Sequence, residues 1–307
     1  MSYGKKLENE FSYSKSKYSM FEECKRKFYL RYFESFYGWE HNAPDRKRKA
    51  YILGKLQNRF TFPGSAVHNF CKDVLLKLKS GSPLPNIELA KEAVLNEMRE
   101  DFKNSKTGGY WKVPKSCGLF EHEYKTLVEN SEWAKVREKV LKCLDNFYTM
   151  PYIQKLIKDP KNFMEIEDLS SIMINGVKVF VQLDFSAIVN NKLYILDWKT
   201  GKKGTAAAKD QLALYALYAR DKWGYNHSNV ITAEVNLASG EVFEYVVTQK
   251  DIDAAQKDVI EKSNEIGSMI QDRKTNTPFN EEMYPGCGNY RTCQYCNFQS
   301  ICPVKTS

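Results

Sequence analysis

Between Phe163 and Lys199 apolar and polar residues alternate, and two short pairs, Asn175-Gly176 and Asn190-Asn191, break the run. Side chains on a strand point to opposite faces in turn, and Asn-Gly between two alternating runs is the strongest short hairpin signal. The segment therefore predicts consecutive antiparallel strands over 163–174, 177–189 and 192–199. No other stretch restricts the fold so tightly, because it commits the second half of the chain to a sheet. Strands over 229–237 and 241–248, around Ser239-Gly240, extend it, with helices predicted over 205–222 and 250–273.

The first half has a different period. Ser14 caps a predicted helix over 14–36, in which Tyr18, Phe21, Phe28 and Phe33 recur at helical spacing. Pro63-Gly64 opens a second helix, about 65–79, and 86–103 and 121–149 follow. The basic stretch Asp45 to Lys49, the segment 104–118, and the tail from Asn276 are expected to be loops or turns. The fold class is α/β: a mixed central sheet flanked by helices, with a helical N-terminal portion over about 12–150 and a core over about 160–275. We expect one domain over 1–307.

Composition sets the outer limits. The chain has 307 residues, 42% of them apolar, enough for a core, and its mean hydropathy is −0.55. Its longest purely apolar stretch, Leu212 to Ala219, falls far short of the roughly 20 residues a spanning helix needs. No membrane association is expected. The opening residues contain no apolar core of a secretory signal, so an intracellular, cytoplasmic setting is expected. Lys and Arg total 46 against 38 Asp and Glu, a net charge of +8 that suits a polyanionic partner such as nucleic acid.

Counting outward from Asn190-Asn191 sets Asp184 directly opposite Asp197 and Gln182 opposite Lys199. Asp197 and Lys199 share a face, while Tyr194, Leu196 and Trp198 point away. Counting from Asn175-Gly176 places Glu167 opposite Asp184, although Glu165 is the alternative upstream glutamate. Like charges directly opposed destabilise a sheet. A hard divalent cation with oxygen ligands, Mg²⁺ or Mn²⁺, would relieve the repulsion.

Cysteine usage adds a second metal signal. Of eight cysteines, Cys287, Cys293, Cys296 and Cys302 crowd the tail. Cys293 to Cys302 is a C-x2-C-x5-C pattern, whose short spacing lets thiolates converge on one metal. A fourth ligand must come from Cys287 nearby or Cys24 far away. Cys71, Cys117 and Cys143 are expected to be small buried side chains.

Four elements in order, Gly64-Ser65-Ala66-Val67-His68, Gln182-Leu183-Asp184, Leu196-Asp197-Trp198-Lys199-Thr200-Gly201 and Gln211-Leu212-Ala213-Leu214-Tyr215, resemble the PD-(D/E)xK nuclease superfamily. The likeness is nearest to the RecB-like exonucleases, which include CRISPR-associated iron–sulfur exonucleases, and runs from about Ser12 to Cys302. It implies a restriction-endonuclease-like sheet and a Mg²⁺- or Mn²⁺-dependent deoxyribonuclease, an exonuclease on single-stranded DNA or DNA ends. Asp184, Asp197 (in place of the commoner glutamate), His68 and the Trp198 carbonyl would hold the catalytic metal. Lys199 would position or activate the attacking water, and Gln211 and Tyr215 would touch DNA.

The resemblance also implies a [4Fe-4S] cluster held by Cys24, Cys293, Cys296 and Cys302, clasping the two ends together. Structural Zn²⁺ with Cys287 is the alternative. Lysines and arginines of 45–49, with Lys202 and Lys203, would meet phosphates without reading bases. DNA is the expected partner, with a protein partner in DNA processing or CRISPR adaptation; recombination and viral replication use similar enzymes. A structure-specific endonuclease on the same scaffold and a non-catalytic DNA-binding subunit are the rival functions.

Overall fold

The computed structural model describes residues 8–201 and 206–303. The chain divides into two compact units. One comprises Met1–Lys55, Met173–Phe180 and Lys257–Ser307, the other Leu56–Ile172 and Val181–Gln256. The fold is α/β, with mixed sheets flanked by helices.

A three-stranded sheet is formed by β1 (Ser12–Tyr13), β2 (Leu169–Ile174) and β3 (Val177–Gln182), in the order β1-β3-β2, with β1 parallel to β3. The β2–β3 turn is Asn175-Gly176, with φ of 48° and 76°. Two consecutive positive φ values define the tight turn that matches strand twist, and glycine reaches them without steric cost. A four-stranded sheet follows in the order β4-β5-β6-β7: β4 (Phe185–Val189), β5 (Lys192–Lys199), β6 (Val230–Asn236) and β7 (Glu241–Tyr245). Its β5–β6 pair is parallel and the other pairs antiparallel. Parallel neighbours need a crossover, and the helix Ala206–Trp223 supplies it.

Four expectations about individual elements are corrected. The strand expected over 177–189 is interrupted at Leu183-Asp184, where the chain leaves the first sheet for the second. Regular strand geometry begins at Leu169 rather than at 163; Phe163 makes only an isolated bridge, to Ala187. The helix expected over 14–36 breaks at Cys24, whose backbone is extended (φ −163°, ψ 113°). Its Sγ accepts the Lys27 N–H at 3.4 Å and so caps the next helix, Lys25–Tyr29. The basic stretch 45–49 is no loop: it opens the helix Asp45–Leu53, with Pro44 before it and Asp45 suited to the positive end of the dipole.

Within the second unit, the helix carrying His68 (Phe62–Lys79) packs beside the helix Asn130–Thr149. Phe147 meets Phe70 edge-on at 5.7 Å and Trp198 at 6.0 Å, and Phe185 stacks on Trp198 at 6.3 Å. This aromatic core holds β5 against the helices and thereby fixes the strand end that carries Asp197 and Lys199. Phe147 is fully buried. Its replacement by alanine is expected to cost about 3–5 kcal/mol, the usual penalty for truncating a packed core phenylalanine, measurable by urea unfolding. Among the described residues no helix is long and apolar enough to cross a membrane.

Candidate active site

Strand β5 buries Leu193, Tyr194, Ile195, Leu196, Asp197 and Trp198 in succession, the pattern of a strand covered on both faces. A carboxylate so placed needs partners, because burying an unpaired charge is costly. Asp197 Oδ1 accepts from Gln211 Nε2 at 2.9 Å and from the Tyr215 hydroxyl at 3.2 Å, and Oδ2 is in contact with Lys199 Nζ. Gln211 and Tyr215 lie one turn apart on the crossover helix and bond each other at 2.6 Å. They brace an aspartate of the site.

The β4–β5 ladder runs from Val189↔Lys192 to Phe185↔Leu196, the register that the Asn190-Asn191 turn implies. Asp184 lies one residue beyond its end. Its Oδ2 accepts the Trp198 backbone N–H at 2.6 Å, in place of a ladder bond. Its other oxygen lies 3.5 Å from His68 Nδ1. Glu167, with φ of 50°, donates its N–H to the carbonyls of Leu183 and Asp184. Its Oε1 is 2.9 Å from His68 Nδ1, and Oε2 accepts from Gln182 Nε2 at 2.7 Å. Candidate ligand atoms of His68, Glu167 and Asp184 thus lie within 4.8 Å of one another.

Glu165 goes elsewhere. It accepts from Tyr218 at 2.7 Å and from Lys222 at 2.8 Å, and Lys222 also donates to Ser170. The geometry joins Glu167, not Glu165, to the acidic group.

His68, Glu167, Gln182, Asp184, Asp197, Lys199, Gln211 and Tyr215 line one open cavity of about 440 Å³, together with Trp198, Thr200 and Gly201. Burial pushes the Asp184 carboxyl up to about 6, against the pull of the imidazole. Burial acts to lower the His68 value, but hydrogen bonds and charge from Asp184 and Glu167 outweigh it and hold it at about 10. Between those two pH values the pair stands as carboxylate and imidazolium. Lys199 is raised as well: burial works against the cation, and the Asp197 carboxylate overcomes it. At neutral pH Lys199 is therefore an ammonium, suited to stabilising negative charge rather than accepting a proton. The donor set of carboxylates plus one imidazole suits Mg²⁺ or Mn²⁺.

Sequence reasoning missed Glu234. It is the parallel-ladder partner of Asp197 on β6, is 1% exposed, and adds to the field on Lys199. Its place depends on how the crossover helix sets two distant strands side by side, which no local pattern encodes. Thr200 was likewise visible only as a motif neighbour.

In the other unit, Cys24, Cys287, Cys293, Cys296 and Cys302 all line a single cavity of about 670 Å³. None of the five is in a disulfide, and the Sγ atoms of Cys287 and Cys293 are 3.8 Å apart. Cys71 and Cys143 are buried and Cys117 is half-buried. Of the basic residues expected to meet phosphate, Arg46 pairs with Glu281 at 2.6 Å and Arg48 donates to the carbonyls of Glu40 and His41. Lys202 and Lys203 lie outside the described residues.

No curated protein matches the chain. A solved structure titled "Crystal structure of SSO0001" is similar at 21% identity, covering 61% of this chain and 80% of that one, with a TM-score of 0.30, too low to carry an argument. The family model of the PD-(D/E)XK nuclease superfamily matches residues 12–303, a span that includes every residue of the acidic site. The chain belongs to the PD-(D/E)XK nuclease superfamily.

Proposed function

We propose that the protein is a metal-dependent deoxyribonuclease of the RecB-like branch, an exonuclease acting on single-stranded DNA or DNA ends. The observation that carries this is the convergence of His68, Glu167, Asp184, Asp197 and Lys199 on one open cavity in a chain of a superfamily whose nucleases use divalent metals. His68, Asp184, Asp197 and the Trp198 carbonyl hold the catalytic cation, with Glu167 beside them. When bound, Mg²⁺ or Mn²⁺ polarises the scissile phosphate and favours ionisation of water.

The chain's own residues do the rest. Lys199 presents its ammonium to the charge that builds on phosphate in the transition state. Gln211 and Tyr215 hold Asp197 in one rotamer, so that it meets cation and substrate without rearranging. Tyr215→Phe is expected to lower turnover about 10-fold, while circular dichroism stays unchanged.

His68 carries a proton at neutral pH, and a ring nitrogen must lose it before ligating a metal. Apparent Mn²⁺ affinity is therefore expected to rise as the pH increases from neutral toward 10. Titration calorimetry in buffers of different ionisation enthalpy should read about one proton released per Mn²⁺. His68→Gln should abolish that proton release.

Cys24, Cys293, Cys296 and Cys302 hold a [4Fe-4S] cluster, supported by their shared cavity and by the C-x2-C-x5-C spacing. A cluster of this kind favours a reducing intracellular setting. A protein partner in DNA processing, CRISPR adaptation among the options, completes the proposal.

The test is digestion of end-labelled single- and double-stranded DNA with Mg²⁺ or Mn²⁺. Progressive shortening from an end supports the reading. Cutting of covalently closed plasmid would make the protein an endonuclease, and DNA binding with no cleavage would leave it a binding subunit.

A further inference from the structure

Phe60 stands on the loop that leads into the His68 helix, and 62% of its surface is exposed. A lone exposed aromatic is ordinary, but this one is held in a built loop. The Asn58 Oδ1 accepts the N–H groups of Phe60 and Thr61, each at 3.0 Å. The Arg59 N–H donates to the buried Glu121 at 2.9 Å. Gln57 exchanges backbone bonds with Gly118 and Phe120 at 2.9 and 2.7 Å. The Arg59 guanidinium lies over the Phe60 ring, 4.5 Å from its centroid. The exposed ring thus carries a half-buried guanidinium over one face.

The first turn of the helix that follows the loop borders the acidic cavity. A Cβ added to Gly64 would approach Thr200 Oγ1 to 3.3 Å, and Thr200 lines that cavity. His68 follows Gly64 by one helical turn. Phe60 precedes Gly64 by four residues, so its backbone lies within about 14 Å of that glycine by chain reach.

We propose that Phe60, backed by Arg59, is a stacking platform for a nucleobase of the strand whose phosphate occupies the His68–Asp197 cavity. Every base offers a π-face, so a rigid aromatic accepts any sequence, and each stacked base contributes about 1–3 kcal/mol to binding. Within a duplex that face is covered by its neighbours. A platform here thus selects unpaired or frayed ends without reading sequence. Arg59 adds a cation where the backbone passes. The inference rests on the nuclease reading and supplies a physical reason for single-strand preference.

The probe is 5′-fluorescein-labelled oligo-dT, titrated by anisotropy with Ca²⁺ replacing Mn²⁺, alongside cleavage kinetics in Mn²⁺. Phe60→Ala should weaken binding about 5- to 150-fold, as loss of one stacked base implies, and raise KM more than it lowers kcat. Phe60→Trp should restore both. A Phe60→Ala protein that binds within two-fold of wild type overturns the platform and leaves the nuclease reading intact. A wild type that binds oligo-dT through Phe60 yet never cleaves keeps the platform and removes the nuclease. A wild type that neither binds nor cuts overturns both.

Discussion

Lys199→Met is expected to lower the turnover of the proposed Mn²⁺-dependent DNA cleavage by about 10²- to 10⁴-fold, the range for removing one preorganised electrostatic group at a transition state. This is the expected result because the ammonium sits on Asp197 at the end of β5 and faces the same cavity as Asp184 and His68. It remains charged at neutral pH, since Asp197, Asp184 and Glu234 together outweigh its burial. The substitution removes a positive charge from a carboxylate-rich pocket but leaves the methylene stem packed. Binding of Mn²⁺ should persist in this variant and should be lost in Asp184→Asn. That split separates a residue acting on phosphate from one acting on the metal. Equal kcat for wild type and Lys199→Met, at saturating substrate and metal, would remove Lys199 from the chemistry.

Cys24→Ser should bleach the visible absorption of the purified protein, lower its iron content to background, and reduce the melting midpoint by about 10 °C or more. A ligand set drawn from Cys24 and the C-terminal tail closes most of the chain into one loop, and cross-links of that length restrict the unfolded ensemble strongly. Cys24 is also the residue at which the N-terminal helix breaks, and its sulfur caps the next one. Cys287→Ser is the control: its thiol is exposed beside Cys293 and lies outside the proposed ligand set. Retention of iron by Cys24→Ser together with loss in Cys287→Ser would exchange the two assignments. Stoichiometric zinc without iron would replace the cluster with a thiolate zinc site.

The parts of this architecture legible in the sequence are those fixed by neighbouring residues. Asn175-Gly176 and Asn190-Asn191 announce their turns because both positions take positive φ, and the register of β4 on β5 follows from the turn. The shared face of Asp197 and Lys199 follows from the two-residue repeat. What stayed hidden depends on partners distant in sequence. The apolar alternation continues through Leu183-Asp184, so nothing local marks the break that turns Asp184 toward Trp198 and His68. Aromatic spacing likewise runs on through Cys24, although the backbone there is extended. Glu165 and Glu167 are indistinguishable by strand parity, being two apart; Tyr218 and Lys222 claim the first, His68 and Gln182 the second. The parallel pairing of Asp197 with Glu234 required the crossover helix to be seen.

The cavity lined by His68, Glu167, Asp184 and Asp197 is proposed to bind the divalent cation that hydrolysis needs. Anomalous diffraction at the manganese edge from crystals grown with Mn²⁺ addresses that binding directly. A peak is expected within bonding distance of Asp184 and Asp197. A fully occupied manganese peak bound elsewhere, with those two carboxylates ligating nothing in a protein that still cleaves DNA, would contradict it.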